Sequence, residues 1–195
     1  MDKLSYAYGL MIAQSMQQQG ITAVGNYDDF TKGLRDVFEG NQPAIAYDEA
    51  NTVLQKDMEM KQRQAGKITI EEGKAFLDKN AKRDGVKTTA SGLQYEVITE
   101  GSGKSPSATD TVQVHYEGTL TDGKVFDSSY RRGTPASFPV NGVIPGWTEA
   151  LQMMKEGGKW KIYLPYDIAY GERGAGQDIP PYATLVFTVE LIAVK

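Results

Sequence analysis

The sequence predicts an α+β protein in two parts, and three observations carry that prediction. Apolar residues in the first 85 positions recur at helical spacing. After Ser91 they alternate with polar ones, as in half-buried strands, and glycine and proline punctuate the segments between. The expected plan is therefore an all-helical region with a helical spacer over 1–85, joined to an antiparallel β-sheet wrapped on one short helix over 86–195.

In chain order, Leu4, Tyr8, Met11, Ile12 and Met16 form the apolar stripe of a first helix, with Gly20 beyond its end. Asp28 is the expected N-cap of a second helix carrying Phe30, Leu34, Val37 and Phe38, and Gly40 is its stop. Pro43 sets off a third pattern, Ala46, Ala50, Val53, Leu54 and Met58, after which the chain turns polar from Glu59 to Gln64. Gly66-Lys67 interrupts, and Thr69-Ile70-Glu71-Glu72 has the form of a capping box. Two readings stand open: one long polar helix across Gly66, or two helices with a break there. A further helical run, Ala75 to Ala81, contains Phe76 and Leu77. Strands are expected at Leu93–Ile98, Thr111–Tyr116, Trp160–Leu164 and Leu185–Ile192, with one helix from Thr148 to Met154 after Gly146-Trp147.

Composition narrows the function. Hydrophobic residues make up 40% and charged residues 24% of the chain, ordinary for a globular protein with a core. A net charge of −4, not concentrated in either half, argues against a nucleic-acid binder or an anionic-membrane binder. Cysteine is absent, which removes disulfides, thiol nucleophiles and Cys-rich zinc sites. No run approaches the ~18 apolar residues of a membrane span. The start, Met1-Asp2-Lys3-Leu4, lacks the basic, apolar, small-residue order of a signal peptide. The expectation is a cytoplasmic protein, or a periplasmic one if a signal peptide has been removed.

Five segments resemble the FKBP family of peptidyl-prolyl cis–trans isomerases, in its order and spacing. They are Val114-His115-Tyr116-Glu117-Gly118, Val125-Phe126-Asp127-Ser128-Ser129, Val143-Ile144-Pro145-Gly146-Trp147, Ala169-Tyr170-Gly171, and Ile179-Pro180-Pro181 followed by Ala183 to Phe187. The run Pro145 to Leu151 is similar to the bacterial branch that includes the macrophage infectivity potentiator. That branch carries an N-terminal helical dimerisation region and a connecting helix, so the resemblance implies a homodimer through residues 1–85. Ser5-Tyr6 and Gly85 are the matching residues there.

The resemblance implies a shallow apolar bowl between sheet and helix. Trp147 would be its floor, with Tyr116, Phe126, Val143, Ile144 and Phe187 as walls. Asp127 would be a buried polar group paired with Arg132, and Tyr170 and the backbone N–H of Ile144 would hold a substrate carbonyl. Arg132, Val143, Phe138 and Ile179 would complete the substrate-binding set, and Gly171 to Gly176 a mobile flap over the bowl. Implied partners are unfolded or partly folded proline-containing proteins, and rapamycin-type macrolides as inhibitors. Ala136 and Ala175 stand where some family members carry bulkier residues, which opens the rim. No cofactor or metal is needed, because rotation about a prolyl bond breaks no covalent bond.

Plainer explanations compete with each assignment. Trp147, Phe126 and Phe187 fit a role as core aromatics, and Asp127 a role as a turn cap. The only histidine, His115, alternates with Tyr116 and so faces away from the bowl. The glycines from Gly171 to Gly176 look phosphate-binding, but no Lys-Ser/Thr follows them and no helix opens after them. The methionines of the first half belong to a core or interface. At the level of function, an isomerase that accelerates proline-limited folding, with chaperone-like capture by the dimer, competes with an FKBP-shaped binding chaperone of little turnover. A third reading is a structural dimer with an inert second half.

Overall fold

A computed structural model describes residues 1–195, the whole chain. Its helices are α1 (Lys3–Gln18), α2 (Tyr27–Glu39), α3 (Tyr47–Asn80), α4 (Ser129–Arg132) and α5 (Pro145–Met153). Its strands are β1 (Val86–Thr88), β2 (Gln94–Thr99), β3 (Thr111–Leu120), β4 (Val125–Ser128), β5 (Ala136–Pro139), β6 (Lys159–Leu164) and β7 (Leu185–Val194). The residues fall into two compact units, Met1–Met58 and Glu59–Lys195.

In the first unit, α1 begins where the Asp2 carboxylate accepts the Ser5 N–H at 2.8 Å. The N-cap of α2 is Asn26, not Asp28: the Asn26 side chain accepts both the Asp28 and the Asp29 N–H. Asp28 and Asp29 then lie in the first turn, where their charge suits the positive end of the helix. Gly40 closes α2 in the left-handed conformation, with φ 71°. Almost nothing here is buried. Asp36, bound to Lys32 at 2.5 Å, is the only buried residue of α1 and α2, and Phe38 is 80% exposed.

The second unit holds an antiparallel seven-stranded sheet, ordered β1-β2-β6-β7-β3-β4, with β5 also paired to β3. α5 packs on its concave face, where Trp147, Leu151 and Met154 meet Val114, Ile162, Leu164 and Phe187 in one core. α5 starts at Pro145, three residues before the expected Thr148, because proline's fixed φ suits the first helical position. β3 pairs Gly118 with Asp127 of β4 and slips register at once afterwards. A bulge beside the bowl thus re-aims its neighbours.

α3 resolves the open choice at Gly66: it runs unbroken from Tyr47 to Asn80. Thr69 caps nothing, since its hydroxyl donates to the Ala65 carbonyl at 3.0 Å, a bond within the helix. Gly66 and Gly73 look like breakers in sequence, yet both are points of close approach. A Cβ on Gly66 would lie 2.7 Å from the Tyr182 ring, and one on Gly73 would run into Thr184. The end of α3 is fastened to the sheet through buried amides. Asn80 Nδ2 donates to Gln94 Oε1 at 2.8 Å, and Gln94 Nε2 donates to the Leu77 carbonyl at 3.0 Å. Arg83 adds a 2.8 Å bond to the Tyr163 hydroxyl. The expected boundary at 85/86 marks the change from helix to strand; the packing division lies earlier, at Met58/Glu59.

Helix propensity alone would make Gly73→Ala stabilising by about 1 kcal/mol. The collision with the buried Thr184 reverses the sign, so urea unfolding of Gly73→Ala should show a lower midpoint than the parent chain. Gly33→Ala in α2, with nothing within 4 Å, should show the propensity gain. A gain at both positions would mean that α3 does not press on Thr184.

Candidate functional site

The concave face opens into a bowl of about 450 Å³. Each wall comes from a different element, so the bowl exists only when the sheet and α5 are in place. β3 supplies Tyr116, β4 Phe126 and Asp127, β5 Phe138, and β7 Phe187. The loop before α5 supplies Val143 and Ile144, α5 Trp147, and the segment after β6 Tyr170. Trp147, 4% exposed, lies at the bottom. Its ring meets Phe187 at 5.2 Å and Tyr116 at 5.3 Å, both edge-on, with Phe138 at 5.7 Å. Phe126 stands edge-on to Phe187 at 5.5 Å. Such perpendicular contacts add attraction beyond buried area and fix each ring against the next.

At the rim, the Tyr116 hydroxyl donates to Asp127 Oδ2 and Arg132 Nη1 donates to Asp127 Oδ1. Arg132 Nη2 also donates to the Tyr116 oxygen at 2.9 Å, and the guanidinium lies over the Tyr116 ring. One turn of helix, α4, brings Arg132 back to Asp127; Ser128 caps it and Gly133 ends it. Asp127 differs from the expected buried group: its side chain is 39% exposed. Partial burial works against its charge, but the hydrogen bonds from Tyr116 and Arg132 and the Arg132 charge outweigh it. The carboxyl is held below its usual range. Tyr116 is pushed up by burial and by its bond to Asp127. Tyr170 is pushed up by burial and then by the Asp127 charge. Both phenols therefore stay protonated and able to donate.

Two donors at the bowl remain unspent within the chain: the Tyr170 hydroxyl makes no hydrogen bond there, and the Ile144 N–H has no backbone acceptor.

Nine of the eleven residues expected from sequence line the bowl, and Arg132 adjoins it through Asp127. Ile179 does not line it. Its side chain is buried in the core, and its backbone pairs with Ala175 in both directions, at 2.9 and 3.1 Å. Gly171 to Gly176 contribute no lining, and the loop is closed on itself by that pairing and by the Tyr182 N–H on the Gly171 carbonyl.

Sequence reasoning missed three contributors. Gly142 lines the bowl. Gly118 leaves the space in which Phe126 and Phe187 meet, since a Cβ there would lie 2.6 Å from the first and 2.7 Å from the second. Ser129, fully buried, accepts the Tyr116 N–H at 2.7 Å and shares a 2.9 Å bond with His115 Nδ1. His115 itself lies on the opposite face, stacked on Tyr130 at 4.8 Å.

An antiparallel sheet closed on one helix around an aromatic bowl is the architecture of a prolyl isomerase, and comparison with known proteins gives the same class. Residues 102–192 match the family described as FKBP-type peptidyl-prolyl cis-trans isomerase, and residues 1–97 match the domain amino terminal to it. The chain belongs to the FKBP-type peptidyl-prolyl cis-trans isomerases.

Among individual relatives, it is 47% identical to the FKBP-type 22 kDa peptidyl-prolyl cis-trans isomerase of Escherichia coli K12, covering 97% of this chain and 93% of that one. It is 43% identical to the outer membrane protein MIP of Legionella longbeachae, covering 100% and 85%. The crystal structure of FkpA from Escherichia coli superposes with a TM-score of 0.80 at 40% identity, over 99% of this chain and 95% of that one. The cytoplasmic expectation finds no support in this company, since one relative is named for the outer membrane. No helix is long and apolar enough to cross a membrane.

The Asp127 ion pair sets a pH window. The folded carboxyl lies below its unfolded value, so its contribution to stability is complete above about pH 5 and is lost as pH falls through the folded value. Asp127→Asn should therefore destabilise the fold at neutral pH and progressively less as pH falls below the ordinary carboxylate value of about 4, as read by urea unfolding across that range. A loss that does not change with pH would show that the charge contributes nothing.

Proposed function

We propose that the bowl around Trp147 is where prolyl bonds of polypeptide substrates are turned, and that the dimer presents two such bowls to an unfolded chain. One observation supports this above the others: an aromatic floor shares its bowl with two donors unused by the protein itself.

Rotation about an X–Pro bond faces a barrier of about 18–20 kcal/mol, because the planar amide loses its resonance at the halfway twist. A million-fold acceleration needs roughly 8 kcal/mol of differential stabilisation. The twisted amide is less charge-separated than the planar one and so loses less on leaving water. An apolar bowl favours it differentially, which is the requirement for catalysis. In this reading the proline ring rests on Trp147 between Phe126, Phe187 and Phe138, with Val143 and Ile144 at its side. The Tyr170 hydroxyl and the Ile144 N–H hold the carbonyl while the remainder turns. Asp127, Arg132 and Tyr116 form the polar edge that keeps the wall upright. The same bowl would accept a macrolide of the rapamycin type. No step requires a metal.

The first unit supports the dimer. Leu4, Met11, Phe38, Val53 and Leu54 are each more than half exposed, and α1 buries none of its residues. Apolar surface of that kind requires a cover, and a second copy of the chain supplies it symmetrically. Two linked bowls raise the effective concentration of each for a long client without any new contact at the proline.

Trp147→Leu, which keeps an apolar core, should fold and yet lose most of its kcat/KM on a short proline peptide in a protease-coupled assay. EDTA should leave the parent rate unchanged. Full activity in a folded Trp147→Leu would move the site elsewhere, and loss on chelation would introduce a metal. A binding chaperone without turnover would show no acceleration in any variant.

Sedimentation should find the full chain dimeric. Phe38→Asp with Leu54→Asp should make it monomeric, with peptide kcat/KM retained and refolding of a proline-limited protein slowed. A dimer unaffected by both charges would place the interface off these faces.

A further inference from the structure

Tyr182 is the only residue other than glycine with a positive φ, at 62°. That backbone is unfavourable for a bulky side chain, whereas glycine or asparagine adopts it readily. It persists only where the surroundings hold it, and such outliers concentrate at functional sites.

Three contacts hold Tyr182. Its N–H donates to the Gly171 carbonyl at 3.0 Å. Its ring stands edge-on to Tyr166 at 5.3 Å. The ring also presses on α3 at Gly66, where even a methyl group would lie 2.7 Å away. Tyr170 lies between Tyr166 and Gly171, so Tyr182 grips the segment bearing Tyr170 at both ends, by its ring before and by its backbone after. Before Tyr170 the segment is also held by two turn hydrogen bonds, Ile168 N–H to the Pro165 carbonyl and Ala169 N–H to the Tyr166 carbonyl, and by Ile168 and Ala169 against the core, but the Tyr170 hydroxyl itself is bound to nothing within the chain.

We propose that Tyr182 is a positioning residue for the isomerase site: wedged between Gly66 of α3 and Tyr166, it sets where Tyr170 presents its hydroxyl to the substrate. The inference rests on the carbonyl-holding role proposed above for Tyr170. A hydroxyl misplaced by an ångström no longer makes its bond at the point of the twist, so the effect is on turnover although Tyr182 touches no substrate. The residue also links α3 to the bowl, because whatever shifts the helix at Gly66 shifts the ring.

The test is a double-mutant cycle on the full chain with a short proline peptide as substrate. Tyr182→Asn keeps the left-handed backbone and its N–H but removes the ring. It should lower kcat/KM roughly tenfold, and combined with Tyr170→Phe it should be no worse than Tyr170→Phe alone. Tyr182→Phe should retain the parent rate. Gly66→Ala pushes the ring from the helix side. It should also lower kcat/KM, and should cost nothing further once Tyr182 is Asn, so it carries the test if Tyr182→Asn is too unstable alone. Additive losses, or parent-level activity in Tyr182→Asn or Gly66→Ala, would overturn the proposal and leave the contact as packing only. Unchanged activity in Tyr170→Phe would overturn the role of Tyr170 itself, and this inference with it. A loss in Tyr170→Phe beside an active Tyr182→Asn would overturn the positioning role alone.

Discussion

The burial of α5 against the concave face of the sheet is the constraint on which the second unit depends, and Trp147 is the side chain through which it acts. The indole belongs to the core and also forms the floor of the bowl. Perpendicular contacts with Phe187 and Tyr116 at just over 5 Å leave it no room to tilt. Because close-packed interiors resist deformation, the floor is as rigid as the core below it. A preorganised apolar surface of this kind needs no reorganisation to seat an apolar ring. The rim is built on the opposite principle. Asp127, Tyr116 and Arg132 satisfy one another where solvent reaches them, so no buried charge is left unpaired.

The two units solve the burial problem differently. Glu59–Lys195 contains its own core and takes in the last turns of α3, where the buried Asn80 amide donates to Gln94 and Gln94 in turn donates to the Leu77 carbonyl. An amide pair whose groups are all satisfied fixes orientation without the cost of an orphaned donor. Met1–Met58 holds helices with well-made ends but no interior to match, since side chains as large as Phe38 and Met11 stay exposed. Local helix signals and tertiary burial are thus separable here. Capping by Asp2, Asn26 and Gly40 defines the helices, while their apolar side chains find no burial within one chain.

Much of this could be read from the residues alone, and the failures have physical causes. β3, β6 and β7 alternate over part of their lengths because one face of each is core, and periodicity registers that directly. The edge strands β1, β4 and β5 are short and went unread, since three or four residues carry no period. Gly66 and Thr69 are a breaker and a cap by type, but each sits where the Tyr182 ring or the helix's own carbonyl decides its role. The aromatic walls were legible through resemblance, whereas Gly118 and Ser129 act by the space they leave and the backbone they bind. The run before Pro180 resembles the family's bowl-lining segment, yet Ile179 closes a loop with its backbone and turns its side chain to the core.

In the proposed mechanism a proline ring seated on the Trp147 indole is turned there. Exchange NMR on a proline peptide with resolved cis and trans signals tests it directly. Catalytic amounts of the protein should produce cis–trans exchange cross-peaks, and stoichiometric amounts should shift the proline ring protons upfield with contacts to the indole. Accelerated exchange without any such contact or ring-current shift would contradict the account, because the bond would then be turned somewhere other than on Trp147.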